Sequence, residues 1–426
     1  MQFLNKIRQV WQIKDLRNKI LFVFAMLVIF RIAAHIPLPG VNIANLKDFF
    51  ARNEMLGMLN ILSGGAMANF SIVAMGIAPY ITASIIMQLL TMIVPKLEEL
   101  SKEGSAGRQK INQYSRFLTV PLALIQSYGM LMLLRQSSST IVENLSFFNI
   151  ANILIVMLGG TMFLMWLGEL ITEKKIGNGI SLLIFAGIVE RLPASLQQSI
   201  AIFDVSQLTN WIILAILALV TIAGVVWLTE GQRNIPVTYA RRIRGHRMYG
   251  GTDTYLPMRV NQAGMIPIIF AISIVLFPSL IGQFLIRSAS SFLAKFGQFL
   301  ITLMQNQLFY GLIYFVLVVA FTYFYTSIIF HPKQIAEQLQ KQGGFVPGIR
   351  PGAPTSQYLS NVSGRIMLAG ALSLGLIAIL PIITQNVFKI STFVIGGAAI
   401  LIVVSVVLEV VKQVQAQISM HEYEGL

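Results

Sequence analysis

Residues 307–330 have the sequence QLFYGLIYFVLVVAFTYFYTSIIF, which contains no charged residue. A membrane-spanning helix needs about 20 mostly apolar residues, and this run is long enough. The lipid interior offers no partner for a free backbone N–H or C=O, so a spanning segment of this kind must be helical. The sequence therefore predicts that residues 307–330 cross a membrane as a helix.

The composition of the whole chain extends this prediction. Apolar residues make up 55% of the 426 residues and charged residues only 11%, and the mean hydropathy is +0.73. A soluble domain has roughly a quarter charged residues. The chain is therefore predicted to be an all-α polytopic membrane protein. Ten candidate spans lie at about 20–38, 72–94, 117–135, 151–172, 180–200, 209–229, 260–282, 307–330, 364–385 and 391–411.

Basic residues are unevenly distributed along a chain whose net charge is +14. Most Lys and Arg residues fall in six segments between or beside the predicted spans, at 1–19, 95–116, 173–179, 230–259, 331–365 and 412–426. The positive-inside rule places such segments in the cytoplasm, so both termini are predicted to be cytoplasmic. Residues 1–19 are predicted to form an amphipathic helix at the cytoplasmic interface, and residues 412–426 a cytoplasmic tail.

Two of the basic segments have the features of contact surfaces. In loop 230–259, apolar residues alternate at Ile235, Val237 and Tyr239, and Gly245 then allows a reversal, which predicts a short hairpin with Arg244-Gly-His246 at its tip. A basic hairpin of this kind is suited to an RNA backbone, an acidic protein surface or anionic lipid. In Gly343–Pro354, GGFVPGIRPGAP, prolines and glycines exclude a helix or a central strand. This loop is predicted to project Arg350 towards a large soluble partner, with an ordinary exposed turn as the alternative.

Residues 55–71 (MLGMLNILSGGAMANFS) are apolar but too short and too rich in glycine to cross a bilayer. Irregular backbone at membrane depth is tolerated only where protein buries it or where it lines a cavity. The segment predicts a cavity open to the outer side, and the alternative is a surface re-entrant loop without function.

No pattern in the sequence indicates an active site. The chain lacks cysteine and the H-E-x-x-H and G-x-S-x-G motifs, and Glu169 and Glu409 lie near the ends of their predicted spans. Apart from the weakest candidate, 180–200, which carries Glu190 and Arg191, no span has a carboxylate at its centre, which argues against a proton-coupled pump. The chain is predicted not to be an enzyme and to need no cofactor. A secondary transporter of a small solute remains the main alternative to a channel, and an intramembrane enzyme remains a third.

Several long motifs, in order between the predicted spans, make the chain resemble the SecY family, the channel-forming subunits of bacterial protein translocases. The motifs are FRIAAHIPLPGV (30–41), NILSGGAMANFSIVAMGIAPYITASIIMQLL (60–90), EGSAGRQKINQYSR (103–116), GTMFLMWLGELITEKKIGNGISLLIFAGIV (160–189), YLPMRVNQAGMIPIIFA (255–271) and FVPGIRPG (345–352). The resemblance implies two pseudo-symmetric five-helix halves, at 20–200 and 201–411, around a central hourglass pore in the bacterial plasma membrane. The segment at 55–71 would be the plug of this pore.

The resemblance also implies site residues. The pore ring would consist of Ile81, Ile85, Ile180, Ile184, Ile266 and Ile402, with Met265 and Ile269 as rivals of Ile266. The plug would include Asn60, Ile61, Leu62, Ser63, Gly64, Gly65, Ala66, Met67 and Asn69. A lateral gate, through which signal sequences intercalate, would include Gln88, Asn261 and Gln262.

The partners follow from the same resemblance. Loops 230–259 and 331–363 would bind the SecA motor ATPase or the ribosome, including ribosomal RNA. The contact residues would be Arg241, Arg242, Arg244, Arg247 and Arg350. SecE-like and SecG-like small membrane subunits, nascent polypeptides and anionic lipids complete the implied set. The resulting hypothesis is a protein-conducting channel that also releases transmembrane segments sideways into lipid.

Overall fold

The structure is a computed structural model of the 426-residue chain. It describes residues 10–38, 45–46, 63, 65–67, 69–135, 146–201, 208–239, 242–244, 247–249, 253–275, 277–286, 290–388 and 397–424. All structural statements below concern these residues.

The chain is mostly helical, as its composition predicts. In chain order the helices are α1 Lys14–His35, α2 Ala78–Ile93, α3 Pro95–Lys102, α4 Ser105–Arg135, α5 Phe147–Glu173, α6 Gly179–Ala201, α7 Leu208–Glu230, α8 Ile266–Val275, α9 Phe277–Leu285, α10 Ser291–Gln305, α11 Gln307–Ile329, α12 Pro332–Lys341, α13 Ala353–Phe388 and α14 Gly397–Glu424. The prediction of a helix over 307–330 is confirmed by α11.

The fold class needs one correction, because the chain also contains strands. These are β1 Gln232–Tyr239, β2 Arg242–Arg244, β3 Arg247–Tyr249, β4 Asp253–Arg259 and β5 Gly344–Phe345. A three-stranded antiparallel sheet has the order β4-β1-β5, and β2 pairs with β3 as a hairpin in which Arg244 lies opposite Arg247. The predicted hairpin is thus confirmed. The strands form because Ile235 and Val237, spaced two apart, bury their side chains on one face of β1.

Fewer membrane spans are evident than the ten predicted. Among the described residues, four helical segments are long and apolar enough to cross a membrane: Phe147–Glu173, Gln307–Lys341, Ala353–Leu380 and Ala399–His421. The pair Ala78–Ile93 and Pro95–Lys102 meets the same criterion with a bend of 101°. The bend lies at Val94, whose extended conformation follows from the steric effect of Pro95 on the preceding residue.

Several helices extend beyond the predicted spans. Helix α4 begins at Ser105, α13 at Ala353, and α14 continues to Glu424, so parts of the predicted loops are helical. Helix α1 begins at Lys14, ahead of the predicted boundary at residue 19. Helix α10 lies between the predicted spans 260–282 and 307–330, where no helix was predicted. Once a helix has nucleated, each further residue adds a hydrogen bond, so polar flanks remain helical.

The chain divides into two compact units, and the predicted halves at 20–200 and 201–411 stay a prediction. The first contains Met1–Asp204, Ile272–Asn306 and Val406–Leu426, and the second contains Val205–Ala271 and Gln307–Ser405. In the first unit α4 packs against α2 and α5, and α5 forms a hairpin with α6. In the second unit α11 packs against α13, and the sheet packs on α12 and α13 around an apolar cluster that includes Ile235, Met258 and Leu359.

Residues 69–77 form a chain of turns that connects the predicted plug to α2. This stretch lies directly on α5, because a Cβ on Gly160 would lie 1.9 Å from the carbonyl oxygen of Ile72. The neighbouring Gly159 faces open space, with no heavy atom within 4 Å of an added Cβ. Adjacent glycines on one helix thus have opposite steric environments.

We expect Gly160→Ala to destabilise the protein and Gly159→Ala to leave it unchanged or slightly stabilised. The added methyl group at position 160 must push the backbone of residue 72 away, and such overpacking costs about 1–3 kcal/mol. At position 159 alanine is the better helix former, by about 0.5–1 kcal/mol. Thermal unfolding in detergent, followed by tryptophan fluorescence, measures both. Equal midpoints for the two variants would contradict the contact.

Candidate functional site

The described part of the predicted plug is buried and internally hydrogen-bonded. Ser63, Ala66 and Met67 are at most 3% exposed, Gly65 is buried, and Asn69 is half-buried. The hydroxyl oxygen of Ser63 accepts a hydrogen bond from the Met67 N–H at 3.2 Å. The predicted plug residues Asn60, Ile61, Leu62 and Gly64 lie outside the described residues.

A short antiparallel bridge of backbone hydrogen bonds joins the end of this segment to the residues that follow α1. Pro37 and Ser71 form an antiparallel bridge, in which the Leu38 N–H donates to the Phe70 carbonyl at 2.9 Å and the Ile72 N–H donates to the Ile36 carbonyl at 3.0 Å. The Ser71 hydroxyl and N–H both donate to the Ala66 carbonyl, at 3.2 and 3.1 Å. This bridge was not predicted, because its two segments are separated by a long stretch of sequence.

Phe70 has a backbone conformation that large side chains rarely adopt. Its φ is 40°, and its side chain is fully buried. A bulky residue with positive φ is held in place only when its surroundings over-determine it. Here a buried apolar cluster does so, with members from the segment itself, from α4 and from α5. The cluster contains Leu38, Leu46, Met67, Phe70, Ala74, Met75, Met130, Leu131, Leu134, Ile153 and Met157.

The residues predicted for a pore ring are aliphatic, and most of them are buried. In the first unit Ile81 and Ile85 on α2 and Ile184 on α6 are at most 4% exposed, and Ile180 is half-buried. In the second unit Ile402 is fully buried on α14.

Ile266 is the first residue of α8 and is half-buried, whereas its rivals Met265 and Ile269 are buried. The structure thus does not favour Ile266 over its rivals. Four ring candidates belong to one unit and two to the other, and the ring as a whole stays a prediction.

The three predicted gate residues share an unusual property. Each has a buried polar side-chain atom that finds no hydrogen-bond partner among the described residues: Oε1 of Gln88, Oε1 of Gln262, and both Oδ1 and Nδ2 of Asn261. The Gln88 amide does donate to the Ser84 hydroxyl, at 3.4 Å. An unsatisfied buried polar group costs about 1–3 kcal/mol, so these positions weaken the packing around them.

Arg350 is exposed on a turn that the sheet anchors. Thr238 of β1 pairs with Phe345 of β5, and the Thr355 hydroxyl, at the start of α13, donates to the Arg350 carbonyl at 2.8 Å. The prediction that Gly343–Pro354 contains no helix is wrong at its end, because Ala353 and Pro354 are the first residues of α13. The strand β5 within this loop lies at the edge of the sheet, so the loop contains no central strand, as predicted. For the other predicted contacts, the structure describes only the backbone of Arg242, Arg244 and Arg247, and Arg241 lies outside the described residues.

Sequence reasoning missed the ion pairs that link helices of the first unit. Arg116 of α4 contacts Glu169 of α5 at 2.6 Å, and Arg31 of α1 contacts Glu190 of α6. Both pairs join residues that are far apart in the sequence. The available signal was that Arg116 and Glu169 lie near the ends of predicted spans and that Arg31 and Glu190 are charged residues within predicted spans.

Sequence reasoning also missed the contact between α14 and the turn that joins α5 to α6. The Gln417 amide donates to the Lys175 carbonyl at 2.7 Å, and the Asn178 N–H bonds the Glu409 carboxylate. Asn178 also caps α6, since its side-chain oxygen accepts the Ile180 N–H at 3.0 Å. The turn between α5 and α6 is thus held from both sides.

Comparison of the sequence with known proteins shows the family to which the chain belongs. The family model described as SecY matches residues 71–411. The chain is 44% identical over 443 residues to the protein translocase subunit SecY of Mycobacterium tuberculosis, covering 99% of this chain and 98% of that protein. It is 43% identical over 428 residues to the SecY subunit of Thermotoga maritima, covering 98% and 96%.

Solved structures of protein-conducting channels share the fold. One, described as the structure of a protein conducting channel, matches with a TM-score of 0.63 at 16% identity, covering 93% of this chain and 91% of that one. A second, a SecY structure described in terms of a plug domain that stabilises the closed channel and maintains a membrane seal, has the same TM-score and coverage at 18% identity. The matched family model and the full-length relatives agree, and the chain belongs to the SecY family.

Proposed function

We propose that this chain is a protein-conducting channel that passes unfolded secretory polypeptides across the bacterial plasma membrane. The proposal includes ten membrane spans in two pseudo-symmetric halves, with both termini in the cytoplasm. It also includes the release of transmembrane segments sideways into lipid through a lateral gate. The chain is not itself an enzyme in this proposal, and the energy for transport comes from a partner.

The observation that carries the proposal is the buried irregular backbone at residues 63, 65–67 and 69–77. A membrane protein that only needed stability would use helices throughout, because helices satisfy their own hydrogen bonds. This chain instead builds turns and supports them with the Ser63 and Ser71 side chains and a strained Phe70. Strain of this kind tends to accumulate in switch regions. A plug that blocks the pore at rest and moves aside during transport accounts for it.

The predicted ring supplies the second part of the mechanism. Aliphatic side chains such as Ile81, Ile85 and Ile184 offer no hydrogen bonds to water or ions, and a narrow hydrophobic constriction excludes both by dewetting. An extended polypeptide brings its own bulk and fills such a constriction without being held by polar contacts. The ring would therefore seal around a moving chain.

The predicted gate residues fit a seam that opens. Polar contacts between membrane helices contribute only about 0.6 kcal/mol on average. Gln88, Asn261 and Gln262 leave polar atoms unpaired within the described residues, so the closed arrangement gains little from them. An entering signal sequence would separate helices that are weakly joined there.

Partners act at the basic cytoplasmic loops in this proposal. Arg350, exposed on a sheet-anchored turn, and the hairpin β2–β3 would contact the SecA motor ATPase or the ribosome, including ribosomal RNA. SecE-like and SecG-like subunits would accompany the chain in the membrane. Anionic lipids would bind the remaining juxtamembrane Lys and Arg residues, at about 1 kcal/mol each.

A single cysteine at Ile81 is expected to crosslink to a stalled secretory chain, because the protein has no other thiol. Ile86→Cys, on the same helix but facing about 140° away, is the matched control and is expected not to react. The crosslink should depend on the signal sequence of the substrate. An engaged chain that reaches neither Ile81 nor Ile402 would refute the ring assignment. If no secretory chain engages with companion subunits and motor present, the small-solute transporter becomes the better hypothesis.

Ser63→Ala is expected to raise the ion conductance of the resting channel. The change removes the acceptor for the buried Met67 N–H, which costs about 1–2 kcal/mol and shifts the open fraction about 5- to 30-fold. Planar-bilayer recording measures the conductance. Ser101→Ala is the control, since Ser101 makes a side-chain hydrogen bond outside the plug, to the Glu98 carbonyl. Equal conductance in both variants would argue against a sealing role for the segment.

Arg350→Glu is expected to slow translocation about 3- to 10-fold, because reversing an exposed contact charge costs roughly 1 kcal/mol and lowers the association rate. Lys333→Glu reverses a charge that is also exposed in loop 331–363 and should have little effect. Protease protection of a secretory protein in reconstituted vesicles measures both rates. A similar loss in both variants would indicate a general charge effect rather than a contact at Arg350.

A further inference from the structure

Helix α10 forms a hairpin with α9 in which the two backbones touch. A Cβ on Gly297 of α10 would lie 2.6 Å from the Gly282 carbonyl oxygen, and a Cβ on Gly282 would lie 2.9 Å from the Gly297 carbonyl oxygen. Close approach through small residues is the usual mode of helix packing in membranes. Helices α9 and α10 therefore lie side by side, with their backbones in contact at Gly282 and Gly297.

The surface of α10 divides into three faces along its length. Gly297 and Met304 are buried and form the face towards α9. A second face consists of Phe292, Phe296 and Phe299, spaced by four and three residues and exposed to 76%, 45% and 57%. The third face is polar and exposed, and consists of Ser291, Lys295, Gln298, Thr302 and Gln305.

The position of α10 in the chain indicates what covers the phenylalanine face. Helix α9 continues the apolar stretch that begins at Ile266, and α11, a helix long and apolar enough to cross a membrane, starts at Gln307, two residues after α10 ends. Both ends of α10 are thus tied to apolar membrane helices. The phenylalanine face lies beside α9 without facing it and is exposed within the described residues, which favours lipid as its partner.

The residues on the phenylalanine face and on the polar face indicate how deep α10 lies in the membrane. Three phenylalanines in water would forgo about 1.5–3 kcal/mol each of burial energy, so this face does not suit an aqueous loop. A polar face along the whole helix does not suit the hydrocarbon core. An apolar face beside a polar one is the pattern of a helix that lies in the membrane–water interface. Lys295 can extend its ammonium group towards lipid phosphates while its stem stays on the apolar side.

We propose that α10 is a lipid-binding helix that lies in the membrane–water interface. Phe292, Phe296 and Phe299 insert at the acyl-chain boundary, and Lys295 contacts the phosphate groups of the same leaflet. In the orientation proposed above this is the outer leaflet. Through the contact between Gly282 and Gly297, α10 attaches the outer end of the seventh span to the lipid surface.

Site-specific fluorophores test this proposal in the full chain, reconstituted with its companion subunits. A bimane probe is attached to a single cysteine at Phe296 or, as the matched control, at Gln298 on the polar face. Vesicles contain lipids brominated near the top of the acyl chains, and iodide serves as the aqueous quencher. We expect the brominated lipid to quench the Phe296 probe at least about twofold more than the Gln298 probe, and iodide to show the reverse.

Two results would overturn the proposal. Equal iodide quenching at both positions would place the phenylalanine face in water. A Phe296 probe that neither quencher reaches would show that another protein surface covers this face. Phe299→Cys lies on the same face and replaces Phe296→Cys if that variant does not fold, with the same expected result. None of these outcomes depends on whether the chain conducts polypeptides.

Discussion

A peptide group in lipid has no water to bond with, so each backbone N–H and C=O at membrane depth must find a partner within the protein. The helices satisfy this constraint by themselves. The described residues between 63 and 77 satisfy it with side chains and with a neighbouring segment, through Ser63, Ser71 and the bridge from Pro37 to Ser71. An irregular element inside a membrane protein is thus possible only where the surrounding chain supplies specific partners, and here these come from the residues that follow α1 and from α4 and α5.

The close contacts of the first unit follow from the same requirement. A turn that must be buried has to approach its neighbours closely, and Gly160 permits this because it has no Cβ to meet the Ile72 carbonyl. The hairpin of α5 and α6 uses the same device, since a Cβ on Gly179 would lie 1.8 Å from the Gly168 carbonyl oxygen. Small residues at these points bring backbones together where the hydrophobic effect provides no force between helices.

The apolar runs predicted the helical character of the chain well, because hydropathy is a local property. Period-two alternation at Ile235 and Val237 likewise predicted strand structure. The sequence did not predict β5, which is two residues long and depends on β1 for its partners, or α10, which is too short to meet the length of a span. The pairs Arg31–Glu190 and Arg116–Glu169 also escaped prediction, since pairing is decided by tertiary contact. The pore, plug and gate assignments came from family resemblance.

The positions of backbone strain and of polar atoms without hydrogen bonds bear on how a closed channel would open. Phe70 has a strained backbone, and Gln88 and Asn261 have polar atoms that find no hydrogen-bond partner within the described part of the chain. The predicted ring residues, in contrast, are ordinary aliphatic side chains. In the proposed channel, a closed state weakened at the plug and the gate would lie only about a few kcal/mol below an open one. A partner or a signal sequence that binds the open state more tightly can then shift the population, since about 5.5 kcal/mol of differential binding converts a state populated at 1% into one populated at 99%. Because the elements that would move in this proposal are the ones that carry the strain, the predicted ring would remain a passive seal while the chain around it rearranges.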